Sequence, residues 1–163
     1  VYPMDIDRAF RKLDEIKPHI DIWWNSGAQS AQLMKDGEVE MSTIWNGRMD
    51  AAIADGALGD YTFNGGIASL DCLAIPIGSQ NLDVAMKVIS AMVSADLQAN
   101  IPFHINYGPT NSGAFALGKI SDEMAARSPS APENLKNQVI VSAEWWAKNG
   151  EAVQERWDAW HIE

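Results

Sequence analysis

Cysteine, histidine and basic residues are scarce in this chain, and each shortage argues against a class of function. A single cysteine, Cys72, among 163 residues means that no disulfide can form within the chain. The three histidines, His19, His104 and His161, lie far apart without a second ligand nearby, so the sequence predicts no metal site. Only 12 Lys+Arg stand against 22 Asp+Glu, and this net charge of −10 argues against a nucleic-acid partner.

Sequence motifs of common enzymes are also missing. There is no Gly-x-Ser-x-Gly elbow, no phosphate-binding glycine loop and no Gly-x-Gly-x-x-Gly. No apolar stretch reaches the roughly 18–20 residues that a membrane-spanning helix needs. We therefore expect neither an enzyme nor a cofactor, and the apolar run around Cys72 predicts a buried, inert thiol.

Short apolar runs alternate with helical patterns, which predicts an α/β architecture. Helices are predicted over 5–17, from 28 to a stop at Gly37, and over 47–54, 81–95 and 112–117, and a C-terminal helical region is predicted with a break at Asn149-Gly150. Strands are predicted over 19–24, 39–44, 61–63 and 70–77, the last being the clearest.

Two opposite charges stand in largely apolar surroundings. Arg48 follows Trp45-Asn46-Gly47 where a strand is predicted to pass into a helix, and Asp71 opens the apolar run of residues 70–77. A buried carboxylate without a partner is costly, whereas an arginine offers a planar fork that suits a carboxylate. From spacing alone, the two remain either unrelated surface charges, a salt bridge, or the two ends of a pocket for a zwitterion.

Three segments, in this order, carry a resemblance to a known family. They are Asp36-Gly37-Glu38-Val39-Glu40-Met41 with Thr43-Ile44-Trp45-Asn46-Gly47, then residues 70–85, then Tyr107-Gly108-Pro109-Thr110-Asn111. Together they resemble the polyamine-type periplasmic solute-binding proteins of ABC importers, and they correspond to the C-terminal half of such proteins. The chain also opens Val1-Tyr2-Pro3 without an initiator methionine, so we expect a processed protein or a fragment.

The resemblance implies a type II periplasmic-binding-protein fold, in which two α/β lobes close on a ligand. Residues 1–63 would belong to the second lobe, 64–106 to the hinge crossing and a piece of the first lobe, and 107–163 to the return crossing and helices on the second lobe. It further implies a periplasmic location and an ABC permease in the inner membrane as partner. The missing N-terminal half, or a swapped copy, would cover the exposed edge.

Departures from the family pattern indicate the ligand. Polyamine binders resemble one another in Trp-Ser-Gly-Asp at the first site, where this chain has Arg48 in place of the acid, and in a second acid that Asp71 retains. The resemblance therefore implies a short ω-amino acid such as γ-aminobutyrate, with Arg48 on the carboxylate, Asp71 on the ammonium, and Trp45 and Tyr107 along the methylenes. A polyamine, another amino acid or an opine-like compound stays open, as does an enzyme or a structural domain.

Overall fold

The computed structural model describes residues 1–162, which divide into two compact units. The first unit consists of residues 1–23 and the chain from 140 onward, and the second of residues 24–139. The predicted lobe boundaries near residues 63 and 106 refer to the complete two-lobed protein, and they stay a prediction. Within the described residues, no helix is long and apolar enough to span a bilayer.

Two helices and a cluster of aromatic rings form the first unit. Helix α1 (Ile6–Ile16) begins where the Asp5 carboxylate accepts from the Arg8 backbone N–H at 2.9 Å, and a 3₁₀ turn over Lys17–His19 follows. Helix α8 (Ala143–Ile162) brings Trp160 edge-on to the buried Phe10, with ring centroids 6.2 Å apart. The indole N–H of Trp160 donates to Asp14 at 2.7 Å, which joins the two helices by a polar contact.

The predicted break at Asn149-Gly150 is wrong, since α8 runs through both residues. A glycine inside a helix costs about 1 kcal/mol relative to alanine, which is too little to end a helix that is otherwise well supported. Asn149 donates from its side chain to the Trp145 carbonyl at 2.8 Å, and Lys148 pairs with Glu144 one turn earlier at 2.7 Å.

The second unit holds most of the short elements. In chain order they are α2 (Gly27–Asp36), α3 (Asn46–Ala54), β1 (Ile67–Ala68), α4 (Leu82–Met92), α5 (Ala95–Gln98), a 3₁₀ turn (Ile101–Phe103), a 3₁₀ helix (Ser112–Leu117), α6 (Asp122–Ala126), α7 (Pro132–Leu135) and β2 (Val139–Ile140), which lies at the boundary between the units. The predicted helices near 28–36, 47–54 and 81–95 are confirmed. The helix predicted over 112–117 is 3₁₀.

Helices α2 and α3 pack on each other around Leu33, Met49 and Ala52, all buried. Local signals set the ends of α2: Ser26 accepts from the Gln29 N–H at 3.2 Å, and Gly37 ends the helix at φ +66°. A second buried cluster is centred on Ala99, Ala114 and Ile120. These two clusters form the packed part of the unit.

All four predicted strands are wrong in position, since residues 19–24, 39–44, 61–63 and 70–77 form no strand. The sheet has two short strands, β1 and β2. The backbone N–H of Val139, in β2, donates at 2.9 Å to the carbonyl of Gly66, the residue before β1. A strand is stable only where a neighbour completes its hydrogen bonds. Among the described residues, the 70–77 segment has no such neighbour.

The stretch from Leu70 to Val93 leaves most of its apolar side chains exposed to solvent. Leu70 is 69% exposed and Val84 60%, and α4 has no buried residue. Cys72 is exposed as well, so the prediction of a buried thiol is wrong. Its apolar neighbours do not enclose it, because no other described part of the chain packs over them.

Candidate functional site

Three of the four predicted site residues, Trp45, Arg48 and Tyr107, gather at the N-terminus of α3. Trp45 holds the N-cap position, and Arg48 lies in the first turn. The indoles of Trp45 and Trp24 meet edge to face, with centroids 6.0 Å apart. Trp45 remains 53% exposed, so one part of the ring packs while the rest faces solvent.

Two glycines allow this gathering. A Cβ at Gly27 would lie 2.5 Å from Cζ3 of Trp45 and 3.3 Å from Nε of Arg48. A Cβ at Gly47 would lie 2.7 Å from Cε1 of Tyr107. Contacts under 3.0 Å cannot be accommodated without movement, so glycine at these two positions provides the space in which the two rings lie.

The Arg48 side chain has no hydrogen bond or ion pair with any residue in the 1–162 range, and it is exposed. Asp71 is also exposed and, over the same range, takes part in no ion pair. The two are therefore not a salt bridge to each other here. Whether they bind the two ends of one ligand stays a prediction.

A hydrogen-bonded cluster that the sequence did not predict lies one helical turn further along α3. The Asp50 carboxylate accepts from Arg127 Nε at 3.0 Å, from the Tyr61 hydroxyl at 3.0 Å and from Asn106 Nδ2 at 2.7 Å. Arg127 also lies over the Tyr61 ring, 4.5 Å from its centroid, and pairs with Asp60 at 3.2 Å. These partners are 11 to 77 residues away in the chain, so no local motif pointed to them.

Burial and charge shift the pKa values in this cluster. Burial, and then the hydrogen bond to Asp50 and its charge, raise the pKa of Tyr61 to about 12. The hydrogen bond from Arg127 to Asp50 raises the pKa of the guanidinium above its ordinary value. The backbone N–H of Tyr61 and then Arg127 lower the pKa of the Asp60 carboxyl.

The concavity that the structure shows does not include the predicted site residues. A shallow concavity of about 300 Å³ lies at the start of α4, lined by five consecutive residues, Gln80 to Val84. One stretch of chain forms it, so polar groups from separate elements do not converge there, as they do in a ligand site. Within residues 1–162, no group of His, Cys, Asp and Glu is placed to hold a metal ion.

The family described as bacterial extracellular solute-binding protein matches residues 2–130. The chain belongs to this family. The resemblance drawn from residues 36–47, 70–85 and 107–111 is confirmed at the level of the family, and the relatives that match are solute-binding transport proteins.

Two curated relatives are named for different ligands. The chain is 35% identical over 158 residues to the γ-aminobutyric acid-binding protein of Pseudomonas aeruginosa, covering 97% of the chain and 44% of that protein. It is 28% identical over 151 residues to the spermidine/putrescine-binding periplasmic protein of Escherichia coli, covering 91% and 39% respectively. This solute-binding chain therefore spans less than half the length of either relative.

Solved structures show the same fold. An ABC transporter substrate-binding protein from Bradyrhizobium japonicum superposes with a TM-score of 0.87 at 45% identity, over 98% of this chain and 50% of that one. A periplasmic binding protein of A. tumefaciens B6 in complex with glucopine superposes with 0.79 at 41%, over 94% and 48%. The periplasmic-binding-protein fold of the solute-binding chain is thereby confirmed, as part of a longer architecture.

The ion pair at Asp50 should stabilise this unit measurably. We expect Asp50→Asn to lower the free energy of unfolding by about 2–3 kcal/mol, because the half-buried Arg127 loses its less exposed counterion and keeps only the exposed Asp60. The matched control is Asp55→Asn at the end of the same helix, where the exposed pair with Lys35 contributes less than about 1 kcal/mol. Urea unfolding measures both, and equal losses would contradict the role given to Asp50.

Tyr61 should make the chain sensitive to alkali. Its pKa in the folded chain is about 12, above the ordinary value of 10.0, so the neutral phenol is the form that the fold favours. This contribution to stability is complete below pH 10 and is lost as the pH rises towards 12. Across that pH range, the free energy of unfolding should fall less steeply with pH for Tyr61→Phe than for the parent. Identical slopes would contradict the prediction.

Proposed function

We propose that this chain is part of an ABC-importer solute-binding protein that binds a short ω-amino acid, with γ-aminobutyrate as the reference ligand. One observation carries the proposal: Arg48 presents a guanidinium without an ion-pair partner among the described residues, beside the exposed ring of Trp45. An exposed cation next to an aromatic wall is suited to a carboxylate on a short apolar chain.

Arg48 is assigned to the carboxylate of the ligand. Its side chain follows the first turn of α3, where the backbone N–H groups at the helix start also favour an anion. Trp45 lies beside it at Gly27, and the Tyr107 ring lies against Gly47, the residue that precedes Arg48. Aromatic rings on two sides would cover the methylene groups and exclude water from the ion pair.

Asp71 is assigned to the ammonium. It is the acidic group in the apolar run of residues 70–77, and its side chain is exposed without an ion pair in the part of the chain that the structure describes. Closure of a two-lobed protein on its ligand is the step that would bring this carboxylate to the second end of the molecule.

The relatives support this ligand class without deciding among its members. The Pseudomonas relative is named for γ-aminobutyric acid, which has one carboxylate and one amine. The glucopine complex favours an opine as a second candidate, because that relative is 41% identical and an opine also carries a carboxylate and an amine. A polyamine fits less well, since it has no carboxylate for Arg48 and its ammonium groups would be repelled by it.

We place the protein in the periplasm, delivering its ligand to an ABC permease of the inner membrane. The family itself is extracellular, and its named relatives are binding proteins. Such proteins hold a ligand without changing it, so no turnover is expected.

The relatives are about twice as long as this chain. We propose that the corresponding further residues of this protein cover the apolar stretch from Leu70 to Val93. An exposed run of this kind is a surface for pairing with more protein. A swapped copy of the chain is the alternative source of cover.

The reaction rate of the Cys72 thiol tests whether further residues cover this stretch. In the 163-residue chain we expect it to react with Ellman's reagent about as fast as in denaturant, because it is exposed. In the full-length protein the reaction should slow at least about tenfold, since accessibility limits thiol exchange. Equal rates in the two proteins would contradict cover by further residues, and protection that rises with the concentration of the short chain would indicate a swapped copy.

Binding by the full-length protein tests the ligand and the role of Arg48. Calorimetry should show γ-aminobutyrate binding that Arg48→Ala weakens by about 2–5 kcal/mol, because the ligand carboxylate loses its counterion. Arg11→Ala, which removes an exposed arginine of α1, is the matched control and should leave the affinity unchanged.

A panel of ligands separates the candidates. Putrescine should bind far more weakly than γ-aminobutyrate, and an opine tighter than γ-aminobutyrate would select the second candidate. Undiminished binding of γ-aminobutyrate by Arg48→Ala would remove the arginine from the site.

A further inference from the structure

Asn106 is attached to helix α3 at two points. The Asn46 side-chain amide donates to the backbone carbonyl of Asn106, and the Asn106 side-chain amide donates to Asp50 Oδ2 at 2.7 Å. Asn46 and Asp50 are four residues apart and so lie on the same face of the helix. Both the backbone and the side chain of Asn106 are therefore bound by one helix.

Asp50, the second of these points, is itself held in place. Its carboxylate accepts from Arg127 and from the Tyr61 hydroxyl, and its side chain is only 19% exposed. A carboxylate bound by three donors from separate parts of the chain has little freedom to follow Asn106 if that loop moves. The position of Asn106 is thus set by the packed part of the unit.

Tyr107 follows Asn106 directly in the chain. The hydrogen bonds of Asn106 therefore also restrict the position of Tyr107 at the candidate site. Its ring lies against the backbone of Gly47, between Asn46 and Arg48, where a Cβ would be 2.7 Å from Cε1 and 3.0 Å from Cζ. The side chain stays 37% exposed, so the ring packs in part and faces solvent in part. The hydrogen bonds of Asn106 and the ring of Tyr107 thus fall on one helical turn.

We propose that Asn106 is a positioning residue that sets ligand selectivity by holding the Tyr107 ring against Gly47. The inference rests on the proposed function, because it takes Tyr107 as a wall of the ligand site. A fixed ring limits the length of the methylene chain that fits between the two charged ends. Loss of either hydrogen bond lets the ring move, and a short ligand then loses contact while a longer one does not.

A double-mutant cycle in the full-length protein tests this role. Asn106→Ala should weaken γ-aminobutyrate about 10-fold, which is within the coupling found between contacting residues, and should leave the longer ε-aminocaproate within about 2-fold. In a Tyr107→Ala background, Asn106→Ala should have no further effect. An equal loss with and without Tyr107, or an equal loss for both ligands, would overturn the proposal.

Asn100→Ala is the matched control. The Asn100 side chain also donates to backbone carbonyls, those of Asp96 and Leu97, within the same unit. Its removal should leave both affinities unchanged. If Asn106→Ala fails to fold, Asn46→Ala breaks the other hydrogen bond and should shift selectivity in the same direction, whereas unchanged selectivity in that variant would overturn the proposal.

An NMR measurement without ligand separates this inference from the proposed function. The Tyr107 ring current should move the Gly47 α-proton shifts away from their values in Tyr107→Ala, and Asn106→Ala should move them back towards those values. Absence of γ-aminobutyrate binding by the parent would refute the proposed function alone. An unchanged Gly47 signal in Asn106→Ala would refute the positioning role, whatever the ligand.

Discussion

The carboxylate of Asp50 is the group on which the arrangement of the second unit depends. It joins α3 to Tyr61, to Asn106 and to Arg127, segments that share no local sequence signal. The pair with Arg127 is half buried, and a charge in that setting is tolerated only while its partners remain in place. Burial, and then the contact with Asp50, raise the pKa of Tyr61, so Asp50 contributes both to the packing of the cluster and to its titration.

Close approach of aromatic rings to backbone is the second constraint. Gly27 and Gly47 leave the volume in which the Trp45 and Tyr107 rings lie. The Arg48 side chain lies beside the Trp45 ring, next to Gly27. A single methyl group at either position would displace a ring by tenths of an ångström or more. In the proposed function these two rings wall the ligand, so shifts of this size would change which ligand fits.

Strand prediction failed for a reason that is visible at residues 70–77. The run is largely apolar, which favours a strand, yet it is mostly exposed and unpaired within the described residues. A helix satisfies its own hydrogen bonds, whereas a strand needs a neighbour, which local sequence cannot supply. Cys72 was expected to be buried on the same assumption and is exposed for the same reason.

Sequence alone determined the family and the positions of most of the longer helices, though it placed a break in α8 that is absent and did not predict α5, α6 or α7. Asp5, Ser26 and Gly37 act through contacts within a few residues, so the ends of α1 and α2 follow from local chemistry. Trp45, Arg48 and Tyr107 became candidate site residues through the resemblance to the family. Only the tertiary structure decided that these three meet around Gly27 and Gly47, and that Asp50 connects Asn106 to Arg127, because such contacts join residues up to 77 positions apart. Long-range packing, which no local pattern encodes, is what brings them together.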